Sequence, residues 1–213
     1  MKIQQFTTDL FQENTFVLWN ESTKDAIIID PGMMQDHERN QVDSFIAANQ
    51  LKINKGLLTH AHIDHAASAA YISTKYGCEV YGNIGDNSLA EGLPMQAQMF
   101  HLRIDAQPLV IHQYLNDGDT LTLADEKIEV IATPGHSLGG LVYYLPEQNT
   151  AIVGDTIFQR SIGRTDLPGG NFTELINSIK TKIFTLPTDT VLIPGHGYST
   201  TVGEEISGNP YLQ

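Results

Sequence analysis

The stretch Thr59-His60-Ala61-His62-Ile63-Asp64-His65 follows the apolar Gly56-Leu57-Leu58 and sets three imidazoles and a carboxylate within six positions. Imidazole and carboxylate are the ligands that borderline-soft divalent metals such as zinc prefer. Without a cation the run is costly. Three neighbouring histidines resist being charged together, and burying them neutral leaves ring nitrogens short of partners. A polar surface turn, or a helix start with Asp64 in its first turn, is the alternative, but matching pieces recur downstream.

Thr133-Pro134-Gly135-His136-Ser137 comes after Ile128-Glu129-Val130-Ile131. Gly154-Asp155-Thr156 comes after Thr150-Ala151-Ile152-Val153, and Pro194-Gly195-His196-Gly197 after Thr190-Val191-Leu192-Ile193. Each time a short β-branched run, which reads as a strand, ends in Gly or Pro and then presents one potential ligand. Strands ending on one sheet edge bring such ligands together, and the glycines let the backbone turn sharply there. Five of the eight histidines fall in this pattern. His37, His101 and His112 lack the context and read as surface or capping residues. Cys78 reads as a small buried residue rather than a nucleophile.

Composition narrows the function classes. The 213 residues fit one domain, 1–213, with 41% apolar residues to build a core. No apolar run reaches the length of a membrane span, and Met1-Lys2-Ile3-Gln4-Gln5 lacks a signal peptide's hydrophobic stretch. A single cysteine allows no intrachain disulfide, so a cytoplasmic protein is expected. The net charge of −13, with twelve scattered Lys and Arg, argues against a nucleic-acid surface. A small-molecule substrate is expected instead. The sequence offers no handle on oligomeric state.

His-x-His-x-Asp-His, followed in order by Pro-Gly-His, Gly-Asp and a second Pro-Gly-His, resembles the metallo-β-lactamase superfamily. The match runs from the Asp30-Pro31-Gly32 turn to Gly197. Within that superfamily, Gly154-Asp155-Thr156-Ile157-Phe158 and Gly163-Arg164-Thr165-Asp166-Leu167-Pro168-Gly169-Gly170 are similar to the glyoxalase II (hydroxyacylglutathione hydrolase) group, in its short one-domain bacterial branch. The resemblance implies an α/β fold, a four-layer αβ/βα sandwich. It also implies two divalent metal ions, zinc first, with iron or manganese as alternatives. His60, His62 and His136 would then hold one ion, and Asp64, His65 and His196 the other. Asp155 would bridge them together with a hydroxide, which makes Asp64 and Asp155 the candidate catalytic carboxylates. Asp30 would orient ligands from behind, or serve as a plain Asp-Pro-Gly turn residue.

The implied reaction is thiol-ester hydrolysis, as of S-lactoylglutathione, by a metal-bridging hydroxide. Two-domain glyoxalase II enzymes add a C-terminal helical domain to the glutathione site; only Tyr198 to Gln213 follow the last ligand here. The group's Lys-x-Tyr glutathione contact aligns with Arg164-Thr165-Asp166. Arg164 keeps a positive charge for a carboxylate, or is tied to Asp166, which would otherwise repel an anionic substrate. Arg164 and Tyr198 are the candidate substrate contacts. The alternatives are a mononuclear iron persulfide dioxygenase, which shares the fold and a Gly-Arg-Thr-Asp segment, and a non-catalytic scaffold, disfavoured by seven intact ligand positions. A β-lactamase is disfavoured by the absence of an export signal.

Coarse periodicity predicts a hairpin of Thr15–Leu18 with Ala26–Ile29 across Asn20-Glu21-Ser22-Thr23. It predicts a helix from Asp36 with Val42, Phe45 and Ile46 on one face, and a helix from His65 to Tyr76 closed by Gly77. Strands follow at Thr120–Leu123, Ile128–Ile131, Leu141–Leu145 and Ala151–Val153. Phe172, Leu175, Ile176, Ile179 and Ile183 show helical spacing and are expected on the sheet. Residues 84–104 fit no regular pattern. They read either as a loop or short helix covering a substrate, or as a helical excursion packing its own apolar side.

Overall fold

Buried residues alternate between two clusters along the central strands. Phe16, Leu18, Ile27 and Ile29 join one cluster, while Val17, Ala26 and Ile28 join another. A strand apolar on both faces must lie between two packed layers. The computed structural model describes residues 1–213 and shows two such sheets.

The first sheet runs β1 (Lys2–Thr7), β2 (Asn14–Trp19), β3 (Asp25–Ile29), β4 (Lys52–Leu57), β5 (Glu79–Gly82) and β6 (Gln113–Tyr114), in that spatial order. Its first three strands pair antiparallel and the rest parallel. Parallel neighbours need crossovers, and these are helical. They are α1 (Asp36–Ala48), then α2 (Ile63–Ala66) with α3 (Ala69–Tyr76), then α4 (Asn87–Glu91) with α5 (Leu93–Met99).

The second half holds β7 (Thr120–Leu123), β8 (Glu126–Ala132), β9 (Leu141–Leu145) and β10 (Thr150–Gly154). A small ribbon of β11 (Ile157–Phe158) and β12 (Ser161–Ile162) follows, then α6 (Phe172–Thr181), β13 (Val191–Pro194), β14 (Thr200–Thr201) and α7 (Val202–Gly208). The six strands of the second sheet lie in the order β14-β13-β10-β9-β8-β7. No helix is long and apolar enough to cross a membrane.

Three apolar layers hold this together. Phe16, Leu18, Ile29 and Leu57 of the first sheet meet Val130, Leu141, Tyr143 and Ile152 of the second. Val42 and Ile46 of α1, with Ile72 of α3, cover the outer face of the first sheet. Leu175 and Ile179 of α6, with Val202 of α7, cover the outer face of the second. The result is the four-layer αβ/βα sandwich expected from the resemblance. Fully buried apolar side chains contribute about 1.5–3 kcal/mol each, so the inter-sheet layer and the outer layers all hold the fold.

The two sheets are also stitched at one end. Leu141 N–H donates to Thr59 O at 2.7 Å and Asn14 N–H to Gly195 O at 2.8 Å. The buried Tyr143 hydroxyl donates to Leu58 O at 2.7 Å. The ligand-bearing loops leave the strands at this end.

Two local expectations are corrected. The helix expected over 65–76 is two helices broken near Ser68, whose N–H donates to Pro31 O at 2.8 Å and whose hydroxyl donates to Met33 O. Those bonds tie the break to the turn after β3, while Gly77 caps α3 in the left-handed conformation (φ 66°) as expected. In α6, Leu175 and Ile179 are buried on the sheet but Phe172 is exposed, because it sits at the first turn beyond the packed face. Cys78 is buried against the first sheet.

Candidate metal centre

His60, Asp155 and His196 sit just beyond strands, where the backbone must turn, while Asp64 and His65 lie in the short helix α2. Asp155 follows β10 at Gly154, which has φ 49°, and a Cβ there would lie 2.3 Å from Thr59 Oγ1. A Cβ on Gly195 would come within 2.5 Å of both Asp155 Oδ1 and His65 Cε1. Only glycine permits that approach. Asp30, after β3, is a non-glycine residue at φ 49°, a strained conformation fixed by its buried hydrogen bonds.

Most rings are pinned by one nitrogen so that the other faces inward. His65 Nδ1–H donates to Asp30 Oδ2 at 2.9 Å, and His136 Nδ1–H to the Arg164 carbonyl at 2.8 Å. His196 Nδ1–H donates to Phe11 O at 3.0 Å, and His60 Nδ1–H to Thr59 Oγ1 at 3.1 Å. The Thr59 hydroxyl in turn donates to Asp30 Oδ2 at 2.6 Å, and its N–H to Asp30 Oδ1 at 2.6 Å. These bonds select the tautomers with a lone pair on Nε2.

The inward atoms form two sets. His60 Nε2 lies 3.1 Å from His136 Nε2, which lies 2.9 Å from His62 Nδ1. On the other side His65 Nε2 lies 3.3 Å from His196 Nε2, and His196 Nε2 lies 3.3 Å from Asp64 Oδ2. Asp155 stands between them: Oδ1 is 3.4 Å from His65 Nε2, while Oδ2 is 3.6 Å from His136 Nε2 and 3.7 Å from His196 Nε2. Two nitrogens on one tetrahedral ion at bond lengths of about 2.0–2.1 Å are roughly 3.3–3.4 Å apart. The 3.3 Å spacings of the second set match that value, and the 2.9 and 3.1 Å spacings of the first fall a few tenths of an ångström short of it. Unprotonated Nε2 atoms so close would repel unless a cation lay between them, so the donor chemistry and the geometry both suit metal binding.

The side-chain electrostatics divide the same way. Burial, reinforced by the neighbouring imidazoles of His65, His136 and His62, holds His60 well below the usual range. Burial, with His136 beside it, lowers His62 to about 4. At His65 burial also disfavours the charge, but Asp155, Asp64 and Asp30 outweigh it and raise the ring well above its usual value. His196 is raised against its own burial by Asp64 and Asp155. Burial disfavours ionised Asp64 and Asp155, yet His65, with His196 nearby, holds both below the usual carboxylate range. Asp155 Oδ1 has no hydrogen-bond partner although it is buried, as a metal-facing oxygen has none.

The seven residues expected as ligands are therefore gathered in one place. The two expected substrate contacts lie outside the cluster. Arg164 makes a two-point pair with Asp166, Nε to Oδ1 and Nη2 to Oδ2, both at 2.8 Å, with both side chains exposed. Its carbonyl, on His136, is its closest tie to the centre. Tyr198 is 83% exposed, two residues past His196.

Two residues not singled out by the sequence brace the site. The buried Asp86 accepts from Ala61 N–H and the Ser137 hydroxyl, both at 2.9 Å, and from Gly139 N–H at 2.7 Å. It thus links the loop of His60 and His62 to the loop of His136. Burial raises its pKa, and those three donors draw it back. Gln96 of α5 accepts from Ile63 N–H at 3.0 Å and donates to Ala61 O at 3.1 Å and Leu89 O at 2.9 Å. Residues 84–104 thus form a helical excursion whose Ala90, Leu93 and Ala97 pack in one cluster with Leu58, Ala61, Ile63 and Val80. A spaced Asp and Gln within an aperiodic segment carry no signal of this role.

Comparison with known proteins agrees with the geometry. Hydroxyacylglutathione hydrolase GloC of Haemophilus influenzae is 38% identical over 214 residues, covering 100% of this chain and 98% of that protein. The solved BLEG-1 B3 metallo-beta-lactamase superposes with a TM-score of 0.89 at 33% identity over 100% of both chains. TTHA1623, solved in a di-iron-bound form, superposes at 0.85 with 33% identity, over 98% of this chain and 100% of its own. The Metallo-beta-lactamase superfamily profile matches residues 8–196, which include every ligand position described above. With its five-part ligand pattern, its paired sheets and these relatives, the chain belongs to the metallo-beta-lactamase superfamily.

Proposed function

We propose that this metallo-hydrolase is a dinuclear thiol-ester hydrolase acting on small molecules such as S-lactoylglutathione. The observation that carries the reading is Asp155, set between two three-ligand sets with one oxygen toward His65 and the other toward His136 and His196. The name of the H. influenzae relative, a hydroxyacylglutathione hydrolase, supports the substrate class. His60, His62 and His136 would hold one ion and Asp64, His65 and His196 the other, with zinc the proposed metal. Two divalent cations held there would supply a water nucleophile at neutral pH and polarise the substrate carbonyl.

The chain's own part is orientation. Asp30, Thr59 and the carbonyls of Phe11 and Arg164 fix the rings, and Asp86 keeps the two ligand loops in register. Asp64 and Asp155 supply negative charge that would offset the charge of the bound ions. A thiolate leaves without strong acid help, so the site requires no general acid. Arg164, through its remaining Nη1 donors, and Tyr198 are proposed to meet a substrate carboxylate. The shared core between the sheets supports reading 1–213 as one domain. The lone, reduced Cys78 supports a cytoplasmic setting.

The test is metal per chain by elemental analysis of protein purified without added metal or affinity tag, alongside S-lactoylglutathione hydrolysis. Two metals and turnover are expected. A single iron, no hydrolysis, and oxygen consumption on glutathione persulfide would overturn the reading.

A further inference from the structure

Beside the first ligand set lies a cavity of about 320 Å³. One wall is His62, and the rest is largely the apolar surface of α4, α5 and two loops, including Leu89, Met95, Met99, Phe100 and Leu138. His62 is the one ligand ring turned the other way: Nδ1 faces His136, so Nε2 lies on the opposite ring edge. That Nε2 is buried without a hydrogen-bond partner. The ring therefore spans from the metal cluster to the cavity wall.

Three features mark the cavity as built for a ligand. It is preformed, because Gln96 and Asp86 in its lining fasten α5 and the preceding turn to Ala61 and Ile63. Its rim leaves apolar side chains open to solvent, with Met95 70%, Met99 54% and Leu138 59% exposed. Exposed methionines beside a reactive centre are adaptable apolar contacts. Its lining also contains no Lys or Arg, and the carboxylate of Asp86 is already fully engaged. A charged peptide moiety would find no counter-charge there.

We infer that this cavity seats an uncharged, apolar substituent of the substrate beside the bond being cut. At the roughly 30 Å³ that a water takes up in the liquid, it has room for about ten water-sized groups. The inference rests on the thiol-ester reading and refines it: the preferred thiol esters carry a medium-length apolar group, on the acyl or the thiol side, rather than the small polar lactoyl group alone.

The test uses metal-loaded protein and has a binding arm and a hydrolysis arm. In the first, non-hydrolysable S-ethyl to S-octyl thioethers of N-acetylcysteamine are titrated by calorimetry. Affinity should rise two- to fourfold per methylene. Met99→Lys and Leu138→Lys, at exposed positions, should flatten that dependence while the unfolding midpoint stays unchanged. In the second arm, acyl length is varied on a fixed thiol and thiol length on a fixed acetyl group. Whichever series gains in kcat/KM identifies the side that enters the cavity. Affinity and hydrolysis both independent of length, or a length dependence that survives in both variants, would overturn the inference. Length-dependent binding without any hydrolysis would support the cavity assignment and overturn the thiol-ester reading.

Discussion

His65 donates from Nδ1 to Asp30 Oδ2 at 2.9 Å, and both side chains are wholly buried. The same carboxylate takes the Thr59 N–H and hydroxyl, so one residue orients His65 directly and His60 through Thr59. Asp30→Asn places an amide where three donors converge, and at least one of them loses its acceptor. Loss of a partner behind a metal ligand typically costs 10–100-fold in metal affinity. We expect a loss of about that size, largest at the set containing His65, in competition titrations against a chromophoric chelator. Unchanged affinity for both ions would reduce Asp30 to a turn residue.

Asp86 makes a different prediction, on stability. Asp86→Ala leaves the Ala61 and Gly139 amides and the Ser137 hydroxyl buried without an acceptor. At about 1 kcal/mol or more for each stranded donor, urea unfolding should show a loss of roughly 3 kcal/mol. Asp86→Asn keeps an oxygen for part of the network and should lose less. If both variants unfold like the parent, the bridge between the two ligand loops contributes little.

The contrast between Asp30 and Asp86 shows what could be read in advance. Asp30, Asp155 and His196 each follow a β-branched run that ends at Gly, Pro or a turn, and His60 follows an apolar one, so strand chemistry announces where the side chain will emerge. Sheet order then brings those ends together, and the four layers were legible through the resemblance. Asp86 acts instead on backbone groups 25 and 53 residues away, and on a hydroxyl 51 away, from inside an aperiodic stretch. Nothing local distinguishes such a carboxylate from a solvated one. The break in the helix at Ser68 was hidden for a similar reason, since its partners Pro31 and Met33 belong to a distant turn.

Asp155→Ala should remove both ions and activity together, because its two oxygens address both sets. Elemental analysis of the purified variant checks this directly. A variant that kept two metals and full turnover would show that the bridge is assigned to the wrong residue.

Arg164 and Asp166 can be separated by kinetics. Their pair is exposed, so neither Arg164→Ala nor Asp166→Ala should move the melting temperature appreciably. If Arg164 holds a substrate carboxylate, Arg164→Ala should raise the KM for S-lactoylglutathione about tenfold with kcat preserved, the size of one charge-assisted hydrogen bond. Asp166→Ala frees the guanidinium fork and should lower KM. No change in either variant would confine Arg164 to its surface pair and its carbonyl contact with His136.

The two ligand sets should also differ in their response to pH. A metal takes an imidazole only in its neutral form, so a ring that holds a proton must release it on binding. His60 is held well below the usual range and His62 at about 4, so both are already neutral at pH 7 and that set binds without displacing their protons. His65 and His196 are raised above 6.5 by Asp155, Asp64 and, for His65, Asp30, so the other set competes with protons in the metal-free chain. As pH falls, occupancy of the Asp64, His65 and His196 set should be lost first, leaving about one metal per chain on the His60, His62 and His136 set. Proton uptake by His65 and His196 on metal release, followed with a pH indicator in weak buffer, should accompany the first loss. Simultaneous loss of both ions, or earlier loss from the set with His62, would contradict this division.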